Sequence, residues 1–443
     1  RRRWNVFCQG PRISPAMDRR SGGRGAQVMA LPDLIEIVPL PGPVHAHITV
    51  PGSKSITNRA LILAALAEGD TTLTGALWSE DTQIMVGALQ TMGFGVTVAE
   101  DPAESVNRTI TVQGQGGRIP KTPEDLFVGN AGTAARFLAA LVCLGDGLVK
   151  LHGIDRMHER PQGELFQALR ALGYTVDAPN DKLPATIHGT GPRAAACTVS
   201  LQESSQFASA LLLVADVGGW QIGLGEAKLA EAPYVQMTQE LIAEFPKVGG
   251  TFAIEPDASS GSYFWGVNTF AEGVEVSHWP LTGWQVDAQF TRFLSPPREV
   301  SRQTDLGDSI MTAITLAPLQ DRPTSFTDLG RLRVQECERV TALRTELTKC
   351  GARITEEGDT LHVEPSPELH GAEIDTYNDH RMAMCFALLG LKVPGMRLRD
   401  PACVKKTFPN FFQKLAAAPP AGLGATIRDA AGRGLAGEDL FAA

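Results

Sequence analysis

The chain has 443 residues, 43% of them hydrophobic and 20% charged, with a formal net charge of −9. That length exceeds one ordinary core and predicts two domains. Apolar runs such as Phe137 to Leu144 and Ala208 to Ala215 stop well short of the roughly 20 residues that a membrane-spanning helix needs, which argues against a membrane protein.

Residues 1–30 hold seven arginines against one aspartate, so the remainder carries 33 basic and 48 acidic residues. So acidic a body argues against nucleic acid as a partner and confines any anion site to a local gathering of Lys and Arg. This Arg-rich opening has no apolar stretch and no periodicity. It reads as a disordered leader, either a transit segment or an upstream-translated stretch, ahead of a folded chain that starts near Met29.

Short strands follow at Ile35 to Val38, His45 to Val50, Thr71 to Thr74, Val96 to Val98 and Thr109 to Val112, alternating with helices in an α/β pattern. His45 and His47 share one strand face, but no third ligand stands at metal spacing, so no metal site is expected. From Pro51, PGSKSITNRALILAALAEG is a polar turn running into an Ala/Leu-rich helix. Lys54, Ser55, Asn58 and Arg59 sit beside its unpaired first-turn N–H groups, an arrangement able to hold an anion.

The same device recurs at Asn130, Ser204, Ser259, Asp308 and Asn378, which makes six polar helix starts. A second phrase, amphipathic helix then glycine stop then strand, recurs from Ala88, Ala168, Leu241 and Leu343. Repetition over tens of residues means one supersecondary unit has been copied, and it predicts helix N-termini gathered around a shared anion. GQGG at Gly114 opens no helix and GSKS at Gly52 lacks the rest of a phosphate loop, so no nucleotide cofactor is expected. The seven cysteines are scattered and never in CxxC spacing, which fits reduced thiols. From about Ala418 the chain is rich in Ala, Gly and Pro and predicts a flexible tail.

Cations in polar motifs are Lys54, Arg59, Arg136, Arg156, Arg160, Arg333, Arg339, Arg381 and Lys406; the acids among them are Asp308, Glu336 and Asp379, with His380 beside the last. So many cations in turns and helix starts point to more than one phosphate or carboxylate in a single cleft, with the acids available for proton transfer. Surface ion pairing is the bland alternative.

PGSKSITNRA, LFVGNAGTAARFLAAL, RMHERP, SSQFASALL, YNDHRMAMCF and DPACVKKTFPNFF resemble, in that order, the motifs of the EPSP synthase (3-phosphoshikimate 1-carboxyvinyltransferase) family, from about Leu31 to Leu415. The resemblance implies a two-domain enolpyruvyl transferase fold. Each domain has three βαβαββ repeats in an inside-out α/β barrel or prism, with chain crossings near Gly52 and Asp257. One domain is then 31–52 plus 258–417 and the other 53–257.

It further implies transfer of the enolpyruvyl group of phosphoenolpyruvate to the 5-hydroxyl of shikimate 3-phosphate, without cofactor or metal. The enzyme would be a cytoplasmic monomer, plastidic only if the leader is a transit peptide. By resemblance Lys54 touches both substrates, Ser55 and Arg59 hold the shikimate carboxylate side, Ser204 and Ser205 bind its phosphate, Gln206 bridges both ligands, and Tyr234 lines the phosphate pocket. Gly132, Arg156, Arg339, Arg381 and Lys406 serve phosphoenolpyruvate, Asp308 is the base and Glu336 the acid.

Four positions depart from the family pattern. Gln335 stands for a substrate-binding lysine and Arg331 for an asparagine, with Arg331 a candidate to restore the lost charge. Glu231 stands where a phosphate-binding serine is common, and Phe137 where proline is common, which predicts reduced glyphosate sensitivity. The runner-up readings are the sister transferase acting on UDP-N-acetylglucosamine and an inactive relative that binds shikimate 3-phosphate.

Overall fold

The computed structural model describes residues 31–201, 204–225 and 232–443; the leader and Glu231 lie outside the described residues. Two hydrophobic cores account for the buried side chains. One runs from Ile56 to Ile254; the other joins Leu31 to Val50 with Tyr263 to Ala442. The chain passes between them twice, side by side: Gly52 bridges Pro256 in antiparallel fashion, Ser53 N–H donates to the Glu255 carbonyl at 2.8 Å and Asp257 N–H to that of Pro51 at 2.8 Å. Gly52 is required there because a Cβ would lie 1.9 Å from the Gly75 carbonyl oxygen.

Each core is built on three helices that pack against one another. In the first these are Lys54–Leu66, Gly132–Leu141 and Ser205–Gly218; in the second, Ala258–Val267, Ile310–Leu316 and His380–Gly390. Every residue of Gly132–Leu141 and of His380–Gly390 is buried, the polar ones falling in the N-terminal halves. Amphipathic helices such as Glu80–Thr91, Gly163–Ala171 and Arg339–Lys349 lie further out.

The copied unit is complete at 125–190, where four strands run in the order Asp125–Phe127, Asp146–His152, Ala185–Thr190, Thr175–Asp177, the first pair parallel and the others antiparallel. It recurs at 299–364 with Glu299–Ser301, Thr324–Thr327, Thr360–Glu364 and Arg353–Glu357 in the same order. Elsewhere a unit borrows strands from distant sequence: Gly250–Ala253 lies parallel to Asp70–Leu77. The sheets are open, and among the described residues none closes into a barrel. Helices lie inside and sheets outside, which is the inside-out part of the expectation.

The flexible tail expected from residue 418 is corrected. Ile427–Asp429 pairs antiparallel with Leu34–Ile37, and Leu423, Ala425, Ile427, Leu435, Leu440 and Ala442 are buried in the second core. Its apolar residues are separated by Gly, Pro and charge, so no local period announced a strand whose partner lies at the opposite end of the chain.

Candidate active site

All six polar helix starts meet in one cleft between the lobes. Its lining includes Ser53, Lys54 and Ser55 of the first helix, Gly132, Thr133 and Arg136 of the second, and Ser204, Ser205 and Gln206 of the third. Across the gap stand Asp257 with Ser259, Asp308, and His380 with Arg381. Ser53, Ser204, Asp257 and Asp379 cap their helices through side-chain oxygens, which leaves other first-turn N–H groups facing the cleft at the positive ends of buried helices. The separation of the two cores thus becomes an electropositive seam.

Asp308 sits between two guanidiniums, Arg302 Nη2 at 2.9 Å and Arg381 Nη2 at 3.1 Å. Burial alone would raise its pKa, but Arg381 and Arg302 outweigh burial and hold the carboxyl well below the ordinary range. Glu336 behaves alike: burial opposes ionisation, yet Arg339, at 2.8 Å, together with Arg160 and Lys406, keeps it ionised. His380 lines the cleft, neither ring nitrogen has a hydrogen-bond partner among the described residues, and burial and Arg381 keep it neutral. Its Nδ1 is 3.6 Å from Asp379, too far for a hydrogen bond.

Arg59 is buried, and among the described residues no carboxylate pairs with it. It donates to Thr238 Oγ1 (2.7 Å), the Ser55 carbonyl (2.9 Å) and Ser209 Oγ (3.1 Å), and lies 5.3 Å above the Phe137 ring. Burial pulls its pKa down to about 10. Phe137 therefore underlies Arg59. Tyr234 lines the same cleft, its phenol pushed well above its ordinary pKa by burial and then by Asp308 and Asp287, so it stays a neutral hydroxyl.

Three expected cations stand back from the cleft surface. Lys406 is buried on Asp81 (2.9 Å) and the Asn130 carbonyl (3.1 Å), and Asp81 also takes Lys54 at 3.2 Å. Arg339 is committed to Asp379 (2.7 Å) and Glu336. Arg156 is turned away: it binds the carbonyls of Gln335 (2.9 Å) and Glu336 (3.3 Å) and the carboxylate of Glu159 (2.7 Å). The arginine of RMHERP that enters the cleft is Arg160, buried and bonded to the Asn130 carbonyl at 3.0 Å. Gln335 lines the cleft, but its side-chain oxygen accepts from Arg339. Arg333 belongs to an outer network with Glu338, Glu356 and Asp359.

Sequence reasoning missed Asp81, Asp287, Arg302 and Thr133. Asp287 accepts from Gly307 N–H at 2.7 Å and Ser309 N–H at 3.2 Å, and so shapes the turn that presents Asp308. Asp81, Asp287 and Arg302 lie in no motif with a local signature, whereas Thr133 sits in the NAGTA turn, whose polar company was an available hint.

Two carboxylates held ionised among arginines, in a cleft of helix N-termini, make a site suited to small anions. The sequence profile of EPSP synthase (3-phosphoshikimate 1-carboxyvinyltransferase) matches residues 38–296 and 296–415. A 3-phosphoshikimate 1-carboxyvinyltransferase of Opitutus terrae is 39% identical over 427 residues, covering 88% of this chain and 98% of its own. One from Nostoc sp. is 37% identical over 424 residues, covering 86% and 98%. The chain belongs to the EPSP synthase family.

In fold, an EPSP synthase from Acinetobacter baumannii superimposes with a TM-score of 0.70 at 22% identity, covering 90% of this chain and 100% of that one. The enolpyruvyl transferase NikO from Streptomyces tendae gives a TM-score of 0.65 at 17% identity, covering 89% and 98%. No helix among the described residues is long and apolar enough to cross a membrane.

Proposed function

We propose that this chain is an active EPSP synthase, transferring the enolpyruvyl group of phosphoenolpyruvate to the 5-hydroxyl of shikimate 3-phosphate and releasing phosphate. The observation that carries the reading is that Asp308 and Glu336 line one cleft together with Lys54, Arg160 and Arg381. Lys54, Ser55, Arg59, Ser204, Ser205, Gln206 and Tyr234 take the acceptor. Gly132, Lys54, Gln206, Arg160 and Arg381 take phosphoenolpyruvate, with Lys406 and Arg339 acting from behind through Asn130 and Glu336. Arg160 replaces Arg156 in this assignment because Arg156 is occupied by backbone carbonyls.

Asp308 accepts the proton of the 5-hydroxyl as its oxygen bonds to the central carbon of phosphoenolpyruvate. Glu336 gives a proton to the methylene, making the methyl of a tetrahedral adduct. That methyl then returns a proton as the C–O bond to phosphate breaks. Glu336 is ionised in the empty cleft, so it becomes an acid only when anionic substrates offset Arg339, Arg160 and Lys406.

The reading extends to a cytoplasmic monomer and to reduced sensitivity to glyphosate, since Phe137 lies in the helix that begins at Gly132. An inhibition constant against phosphoenolpyruvate as low as that of a sensitive relative removes the glyphosate clause. The central test is phosphate release by the purified chain with both substrates, beside Asp308→Ala. Release that needs both substrates and falls about 10²- to 10⁴-fold in the variant supports the reading. Binding of shikimate 3-phosphate without any release sinks it in favour of an inactive binder.

A further inference from the structure

Arg302 follows the strand Glu299–Ser301 and has no role in the scheme above. It and Arg331 line the cleft from one lobe, facing Tyr234, Ser204 and Ser205 of the other. The Arg302 side chain is 7% exposed and spends one N–H on Asp308 at 2.9 Å, while its buried Nε has no hydrogen-bond partner among the described residues. Its counter-charge is shared, because Asp308 also serves Arg381 at 3.1 Å. Arg331 donates to the Leu201 carbonyl, and among the described residues no carboxylate pairs with it. Gln335, in the same segment, adds no charge and is turned to Arg339.

Two guanidiniums thus share one cleft wall. Arg331 is pulled down to about 10, by burial first and then by the charge of Arg302. Repulsion retained in a cleft is relieved by an anion placed between the like charges. The opposite wall fits a phosphate: the N-terminus of the helix Ser205–Gly218, with Ser204 as its cap, and the neutral hydroxyl of Tyr234. The pole formed by Lys54, Gly132 and Arg160 lies on other segments.

We propose that Arg302 and Arg331 bind the phosphate monoester of the acceptor, Arg302 leaving Asp308 to do so. This rests on the function proposed above and deepens it. When Arg302 shifts to the phosphate, Asp308 keeps Arg381 as its one close cation and its proton affinity rises. The acceptor thereby readies the base that deprotonates it.

The test measures dissociation constants of shikimate 3-phosphate and of unphosphorylated shikimate for the wild type, Arg302→Gln and Arg331→Gln, after wild-type turnover has been assayed. Each variant is expected to bind shikimate 3-phosphate about 10- to 100-fold more weakly, as loss of a charge-assisted contact implies, with shikimate held within about twofold. A loss below about fivefold in both variants, or an equal loss for shikimate, overturns the proposal. If a Gln variant does not unfold cooperatively, Arg302→Lys and Arg331→Lys decide. Severalfold weaker shikimate 3-phosphate binding with constant shikimate binding supports the proposal, and unchanged binding of both ligands overturns it. Wild type that binds shikimate 3-phosphate without turnover refutes the function while the ligand comparison still decides the arginines.

Discussion

Gly132→Ala isolates one contact of the cleft. A Cβ on Gly132 would lie 2.6 Å from Arg160 Nη2, 2.8 Å from Cζ and 3.0 Å from Nη1. Ordinary contacts begin near ~3.5 Å, so the guanidinium must retreat by about 0.5–1 Å. Arg160 is buried and held by the Asn130 carbonyl at 3.0 Å and Asn130 Oδ1 at 3.3 Å, and a retreat of that size takes at least one of these bonds out of range. Displacing a charged donor costs about 1.5–3 kcal/mol, or about 10- to 150-fold in affinity for the ligand it holds.

The fold should not suffer. Gly132 opens a helix without a left-handed φ, and alanine favours helix over glycine by up to about 1 kcal/mol. Initial rates of phosphate release should therefore show the KM for phosphoenolpyruvate raised by that factor, with the dissociation constant of shikimate 3-phosphate and the melting temperature held. A KM within about threefold of wild type, or an equal loss of shikimate 3-phosphate affinity, refutes the placement of Arg160 against the phosphoenolpyruvate subsite.

Three further perturbations have defined outcomes. Asp81→Asn strands the buried ammonium of Lys406 and the nearby one of Lys54, and should cost about 3–5 kcal/mol in urea unfolding at pH 7; a change under about 1 kcal/mol contradicts this. Burial opposes ionisation of Asp81, but Lys406 and Lys54 prevail and lower its pKa, so its contribution is present above the ordinary carboxylate pKa of about 3.9 and fades as pH falls below it. The gap between wild type and variant should accordingly narrow in acid.

Phe137→Leu removes the ring under Arg59, worth about 0.5–2 kcal/mol, and should raise the KM for shikimate 3-phosphate about 2- to 20-fold while leaving that for phosphoenolpyruvate. Equal shifts in both KM values would point to general loosening. Deleting residues 418–443 uncovers the edge of the strand Leu34–Ile37 and removes buried Leu423, Ile427, Leu435 and Leu440, at about 1.5–3 kcal/mol each. Soluble, cooperatively unfolding protein after that deletion would show the tail to be dispensable.

Much of the site was legible because helix starts are local. A cap, a small residue and an apolar run lie within one turn of each other, so Lys54, Ser204, Asp308 and Arg381 stand out on their own segments. Which arginine of RMHERP enters the cleft was not legible. Arg156 and Arg160 share one short motif, and only the lobe-to-lobe contact of Arg156 with the carbonyls of 335 and 336 separates them.

The sequence by itself determined the α/β class, the repeated unit, the six helix starts and the cationic character of the cleft, since these follow from residue order over short spans. Tertiary structure alone decided what depends on distant partners. It placed Arg302 on Asp308, Arg59 over Phe137, Lys406 on Asp81, and the 427–429 strand against the chain's first strand. Side chains far apart in sequence meet only when two cores form and face each other, and that meeting sets both the charge of each group and what it can bind.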